Sequence, residues 1–284
     1  MYNMKTLVTG GAGFIGSHLA GALMAAGHDV VVLDNLSRGT KQNVPAKARF
    51  VKGDIRNEDD VAKAVRGCSF VFHLAAQTEV RFEDPEKDFQ VNFSGAKNVF
   101  DAARSVGAKV IFASSAAVYG DGKLPLREAG EKKPISDYGR NKLKAEKLLG
   151  DGAFIVRIFN VYGPSGHGVI NRFCEKLKKN DELEIYGTGM QTRDYIYVSD
   201  VVSALLLGLR HGGTYNAGTQ SEISLIQLLD VLRAATRQQP RTKFLPEKER
   251  DIKRSKADIS KIKELNWSPA VKISDGIAKT YESA

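Results

Sequence analysis

The chain has 284 residues, 42% of them hydrophobic, with a formal net charge of +9 and only two cysteines. That length buries a full core in one large or two modest domains, and no apolar run approaches the roughly 20 residues of a membrane span. Cys68 and Cys174 form no CxxC pair and the histidines lack ligand spacing, so neither a disulfide framework nor a metal centre is expected. The N-terminus runs almost directly into "KTLVTGG" without the pattern of a secretory leader, which is expected of a cytoplasmic protein. The basic stretches "EKLKKN" and "KERDIKRSKADISKIK" carry no interleaved aromatics for base stacking; they read as solvated helix faces, not as a nucleic-acid interface.

Short β-branched runs alternate with amphipathic helices through the first 160 residues. Strands are predicted at 5–10, 29–34, 49–54, 69–75, 109–115 and 153–159, with helices at 15–26, 59–66, 85–105 and 138–149. Asp84-Pro85 reads as an N-cap followed by Pro at the first helical position. This alternation predicts an α/β fold, a doubly wound parallel Rossmann sheet with ligands at the carboxyl ends of its strands. Past "NVYGP" the alternation fades. Helices near 170–179, 199–209 and 224–236 suggest a smaller C-terminal α/β lobe, residues 161–284, with the chain returning to the first domain (1–160) at about 192–217.

In "TLVTGGAGFIGSHLA", Gly10, Gly13 and Gly16 lie between the first strand and a helix. A glycine turn there lets backbone N–H groups approach a pyrophosphate at a helix N-terminus, where the helix dipole favours negative charge. Asp34 ends the second strand, where a carboxylate can accept the adenosine ribose hydroxyls and would repel a 2′-phosphate, so NAD is expected rather than NADP. Asp54, ending the third strand and followed by Ile55, is placed to reach an adenine or to serve as a surface N-cap.

"SDYGRNKLKAEKLL" sets Tyr138 four residues before Lys142 at the start of a helix, so phenol and ammonium share a face. A nearby cation favours a phenolate, which would make Tyr138 a residue tuned to move protons. The other reading is a partly exposed tyrosine beside a solvated lysine.

With "FHLAAQ" at 72–77, "SSAAVYG" at 114–120, "YGRNK" at 138–142, "NVYGP" at 160–164 and "RDYIYVSDV" at 193–201, the whole chain resembles the extended short-chain dehydrogenase/reductases. It is most similar to their nucleotide-sugar epimerase/dehydratase branch. The resemblance implies Tyr138 as the proton-transferring residue, Lys142 as the ribose-binding residue that together with the positive nicotinamide lowers the Tyr138 pKa, and Ser115 as the partner of the reacting sugar hydroxyl, with neighbouring Ser114 supporting the strand end near the cofactor. It implies NAD contacts from Gly10, Gly13, Phe14, Ile15, Gly16, Asp34, Asn35, Ser37, Asp54, Ile55, Leu74, Ala75, Ala76, Gln77, Ser114, Tyr138 and Lys142. Asn160, Arg193 and Arg250 (with Lys248 as the alternative to Arg250) would bind the sugar nucleotide, and Ser255 would line the sugar pocket. Arg193 could instead pair with Asp194 or Asp200. A homodimer is the family default.

Dehydratases of this branch carry an Asp-Glu pair after the Thr of this motif, and the UDP-glucuronate decarboxylases a Glu a little before the Tyr-Gly. Here those positions are Ala116 and Ala117. Elimination then lacks an acid and a base, and the resemblance points to 4-epimerisation of a UDP-sugar. A 4-reductase, a dehydratase and a non-catalytic NAD-binding regulator are the alternatives.

Overall fold

Valine-rich strands that are hydrophobic on both faces need cover on both faces, and the sheet they form dictates the rest of the first unit. A computed structural model describes residues 4–78, 84–247 and 251–284. The chain divides into two units: Met1–Val118 with Pro134–Arg157 and Val202–Tyr215, and Tyr119–Lys133 with Ile158–Val201 and Asn216–Ala284.

The first unit is built on strands β1 (Lys5–Thr9), β2 (Asp29–Asp34), β3 (Arg49–Lys52), β4 (Phe70–His73), β5 (Lys109–Ser115), β6 (Phe154–Ile158) and β7 (Gly213–Ala217), in spatial order β7-β6-β5-β4-β1-β2-β3. The pairings of β3 with β2, β2 with β1, β1 with β4 and β4 with β5 are parallel. The strand order reverses on either side of β1, the arrangement that opens a ligand crevice at the carboxyl ends. Leu7, Val31, Leu33, Val71, Val110 and Phe112 face one side and pack on helices α2 (Glu58–Val65) and α4 (Ala96–Ser105) through Val61, Ala64, Val99, Phe100 and Ala103. Their in-strand neighbours Val8, Val32, Phe72 and Ile111 are equally buried on the opposite face.

The helices α1 (Phe14–Ala25), α2 and α5 (Asp137–Glu146) begin and end close to their predicted limits. The helix predicted over 85–105 is interrupted. It runs as α3 (Pro85–Phe89), a π-helical turn over Gln90–Gly95, and α4. Buried polar side chains account for the widening: Asp88 and Asn92 face inward, and Asn92 Nδ2 donates to Asp88 and to the Gln77 carbonyl. Such turns are frequent at functional sites. The seventh strand, "GTYNA", carries too little apolar character to be predicted as one.

Among the described residues the second unit holds three two-stranded pairs: Asn160–Tyr162 with Tyr195–Tyr197 in parallel, Thr192–Arg193 antiparallel to Ile223–Ser224, and Leu183–Tyr186 parallel to Thr242–Leu245. Its helices Leu225–Thr236 and Val169–Lys178 both pack on Ile273–Ser283. Asp194 is its polar hub. The fully buried carboxylate accepts from Thr219 N–H and hydroxyl, Gln220 N–H and Ala257 N–H. Among the described residues no helix is long and apolar enough to cross a membrane.

Candidate active site

At the end of β1 the chain turns through Gly10, with φ at +71°, into α1. Gly16 is packed so tightly that a Cβ there would lie 2.1 Å from the Gly10 carbonyl oxygen. The first turn of α1 opens at Gly13, with no side-chain cap and no acidic side chain. Uncapped N–H groups of Phe14, Ile15 and Gly16 at the positive end of a twelve-residue helix form a cradle for a pyrophosphate, and the residues present fit an NAD molecule there.

The cradle's floor is pinned from below. Thr9 Oγ1 lies 2.7 Å from His73 Nδ1 and accepts from Ala75 N–H, which holds Leu74–Ala75 against the glycine turn. His73 is fully buried and stacked on Phe112, and burial pushes its pKa well below the ordinary value, so it is a neutral core histidine.

Asp34 stands at the carboxyl end of β2, accepting from Ala12 N–H at 3.0 Å and Leu36 N–H at 2.8 Å. Each oxygen keeps a lone pair for a ribose hydroxyl. Asn35 donates to Asp54 and accepts from Ser37 N–H. Arg56 grips Asp54 and holds its carboxyl well below the ordinary carboxylate range. Ile55 offers only its backbone, because its side chain belongs to the core and packs against Gly95. Gln77, following Ala76, bonds the Asn92 side-chain amide through its own backbone N–H and carbonyl, and its side chain accepts from Arg38. Arg38 is thereby drawn toward Gln77.

The catalytic candidates converge at the end of β5. Ser136 caps α5 by accepting from Gly139 N–H, and a Cβ on Gly139 would lie 2.5 Å from the Ala117 carbonyl oxygen. This close approach sets the first turn of α5 against the Ala116–Val118 turn and brings Tyr138 near enough for Ser115 to act on its phenol. Lys142 Nζ donates to the Ala113 carbonyl at 3.0 Å and lies 4.7 Å from the Phe112 ring centroid.

Tyr138 is a weaker acid here than a free tyrosine. Burial pushes its pKa up to about 12, with Ser115 acting downward and Asp88 upward, while burial draws Lys142 down to about 8 against the opposing pull of Glu146 and Asp88. The ammonium is seated on a carbonyl and flanked by carboxylates. Ser114, in turn, ties down the end of β5. Its hydroxyl donates to buried Glu146, because adjacent strand residues point to opposite faces.

In the second unit, Asn160 donates its backbone N–H to the Asp194 carbonyl and its residue is exposed. Arg193 pairs with Asp251 at 3.0 Å and donates to the Thr192 carbonyl, rather than pairing with Asp194 or Asp200. Asp194 is filled by its own hub of donors, and Asp200 accepts from Val271 N–H. Ser255 is buried, its N–H bonded to the Thr192 carbonyl. Arg250 and Lys248 lie outside the described residues.

The motif reading passed over Glu146, Arg157 and Asp88. Glu146 and Arg157 form a buried ion pair at 2.7 Å, and Asp88 accepts from Asn141 of α5 at 2.7 Å. Their signal was present. Glu146 continues the Tyr138–Lys142 spacing by another four residues, and an arginine inside the apolar run "FIVRI" requires a buried counter-charge.

A doubly wound sheet with a glycine-rich cofactor turn and a Ser–Tyr–Lys constellation defines an oxidoreduction-capable nucleotide-cofactor enzyme. The model of the NAD dependent epimerase/dehydratase family matches residues 6–218, and the chain belongs to that family. It is 38% identical to a putative UDP-glucose 4-epimerase of Methanocaldococcus jannaschii, covering 96% of each chain. A UDP-glucuronic acid decarboxylase of Arabidopsis thaliana is 33% identical over 97% of this chain and 68% of its own length. Among solved structures, a Thermotoga maritima UDP-glucose 4-epimerase with UDP-glucose superposes with a TM-score of 0.95 at 34% identity, covering 99% of this chain and 98% of that one. A Thermus thermophilus UDP-glucose 4-epimerase in complex with NAD gives 0.94 at 35% identity, with the same coverage.

Proposed function

We propose that this chain is an NAD-dependent UDP-sugar 4-epimerase, acting on UDP-glucose and UDP-galactose and on their N-acetyl forms. The observation that carries the reading is the pairing of Ser115, Tyr138 and Lys142 with alanines at 116 and 117, where the eliminating and decarboxylating relatives of the resemblance need acidic groups. Without those groups the constellation supports alcohol–ketone exchange at one carbon and no further bond breaking. The epimerases among the relatives and superposable structures support the same choice.

NAD, when bound, supplies reversible hydride acceptance at the sugar C4. The residues proposed to hold it are those of the α1 cradle, Asp34 and the 74–77 segment. Tyr138 as phenolate takes the proton of the 4-hydroxyl, and Ser115 hydrogen-bonds the same oxygen to align it. Tyr138 returns the proton after the 4-keto sugar has turned over. Lys142 holds the ribose. Residues 161–284 are proposed as the substrate lobe, with Asn160 and Arg193 anchoring the nucleotide diphosphate, so that remote binding energy retains the intermediate. A cytoplasmic homodimer completes the proposal, and sedimentation of the purified chain tests the dimer.

The functional test incubates purified protein with UDP-glucose or UDP-galactose without added NADH and separates the nucleotide sugars. Interconversion that Tyr138→Phe loses is the expected result. Conversion that consumes added NADH stoichiometrically would replace the epimerase reading with a 4-reductase. No conversion by protein that holds NAD would discard the glucose/galactose assignment.

A further inference from the structure

Tyr138, Lys142 and Glu146 follow one another at four-residue spacing on the buried face of α5, yet Glu146 has no part in the reaction outlined above. Glu146 is 7% exposed, and its carboxylate is held by Arg157 and Ser114. Arg157 of β6 reaches both of its oxygens, through Nε at 3.0 and 3.2 Å and Nη2 at 2.7 Å, and Ser114 of β5 donates its hydroxyl. Ser114 sits between Ala113, whose carbonyl receives the Lys142 ammonium, and Ser115, the partner of Tyr138. A clamp on Ser114 therefore fixes the two strand residues on which the catalytic side chains depend.

We propose that Glu146 is a positioning residue for proton transfer: through Arg157 and Ser114 it locks α5 onto the carboxyl end of β5, seating Lys142 as a cation on the Ala113 carbonyl and Tyr138 beside Ser115. The titratable and charged groups facing Lys142 are His73 from β4, Asp88 from α3, and Tyr138 and Glu146 from its own helix, with Arg157 behind Glu146. His73 is neutral, so two carboxylates carry the compensation of the ammonium. The kinetic part of this inference rests on the epimerase reading, and the titration below does not.

The experiment follows the Lys142 ammonium by NMR of 13Cε-labelled lysine in the full-length chain, with the resonance assigned by its loss in Lys142→Met. Glu146→Gln is compared with the double variant Glu146→Met/Arg157→Met, which removes both charges and restores a packed, uncharged contact. In both variants the Lys142 midpoint is expected to fall by about one pH unit. With UDP-glucose, kcat falls about tenfold or more while KM stays within about twofold, and the alkaline limb of the kcat profile moves to lower pH. If Glu146→Gln fails to fold, the double variant decides. A double variant whose Lys142 midpoint equals that of the parent chain shows Glu146 to be structural only and overturns the proposal. A shifted midpoint in protein that converts no UDP-sugar upholds the positioning role and rejects the substrate assignment instead.

Discussion

Lys142 is 2% exposed, and keeping a charge there costs folding free energy that a methionine would not incur. Burial lowers its pKa from 10.5 to about 8. At about 1.4 kcal/mol per pH unit, the drop corresponds to about 3 kcal/mol between the charged and neutral forms. The sign follows from proton counting. Below pH 8 the lysine is charged in folded and unfolded chains alike. Between about 8 and 10.5 the unfolded chain holds a proton that the folded chain has released, so stability rises with pH across that window. About 2 kcal/mol of the gain falls between pH 7.5 and 10. Tyr138 acts oppositely, raised from 10 to about 12, and removes stability as pH rises above 10, so the measurement stops there. Urea unfolding of the cofactor-free chain and of Lys142→Met, at half-unit intervals from pH 7 to 10, gives the two curves. The difference between them should close by about 2 kcal/mol toward high pH, because other titrating groups are common to both. Parallel curves would refute the assignment of Lys142 as a desolvated cation.

Gly16→Ala places a methyl 2.1 Å from the Gly10 carbonyl, a backbone atom that cannot move aside, so the turn must open. The expected result is protein purified without NAD and destabilised by about 1–3 kcal/mol, measured by cofactor content and urea midpoint. Asp251→Asn removes the carboxylate that holds Arg193 and frees the guanidinium for a diphosphate. UDP should then bind more tightly by isothermal titration, whereas Arg193→Met should weaken it by about tenfold or more.

The period-2 and period-3.6 patterns carried the fold because buried parallel strands such as "DVVVLD" are too apolar to be loops and too short to be helices. The glycine turn and Asp34 were legible for a similar reason, since a close backbone approach and a strand-end carboxylate are local features. What sequence reasoning lost was tertiary. The π-helical turn at Gln90–Gly95 depends on Asp88 and Asn92 finding Asn141 and Gln77, and no periodicity marks those meetings. Arg193 could not be paired correctly because Asp194, the obvious neighbour, is occupied by donors from residues 219, 220 and 257. The orientation of Ser114 was recoverable from strand alternation alone. Its two-serine motif drew attention to both hydroxyls, although only one of them can face the crevice.

The buried charges of the first unit also explain why Tyr138 is a weak acid that rarely forms its phenolate on its own. Asp88 and Glu146 are faced by Lys142 and Arg157, all of them at least nine-tenths buried, so no net positive charge in the cluster favours a phenolate. A Tyr138 phenolate would add one uncompensated negative charge to a desolvated site, which is why its pKa stands at about 12. Base formation then needs a positive charge brought to the crevice side of β5, and oxidised NAD carries one on its nicotinamide whereas reduced NAD does not. Ultraviolet titration of the phenolate, taken as the difference between the parent chain and Tyr138→Phe, should show the Tyr138 midpoint falling by about two pH units or more with NAD⁺ bound, and by far less with NADH. Equal midpoints with the two forms would mean that cofactor contact, not cofactor charge, prepares the tyrosine. In that case the charge balance of the Asp88–Glu146–Lys142–Arg157 cluster would have no part in timing the proton transfer.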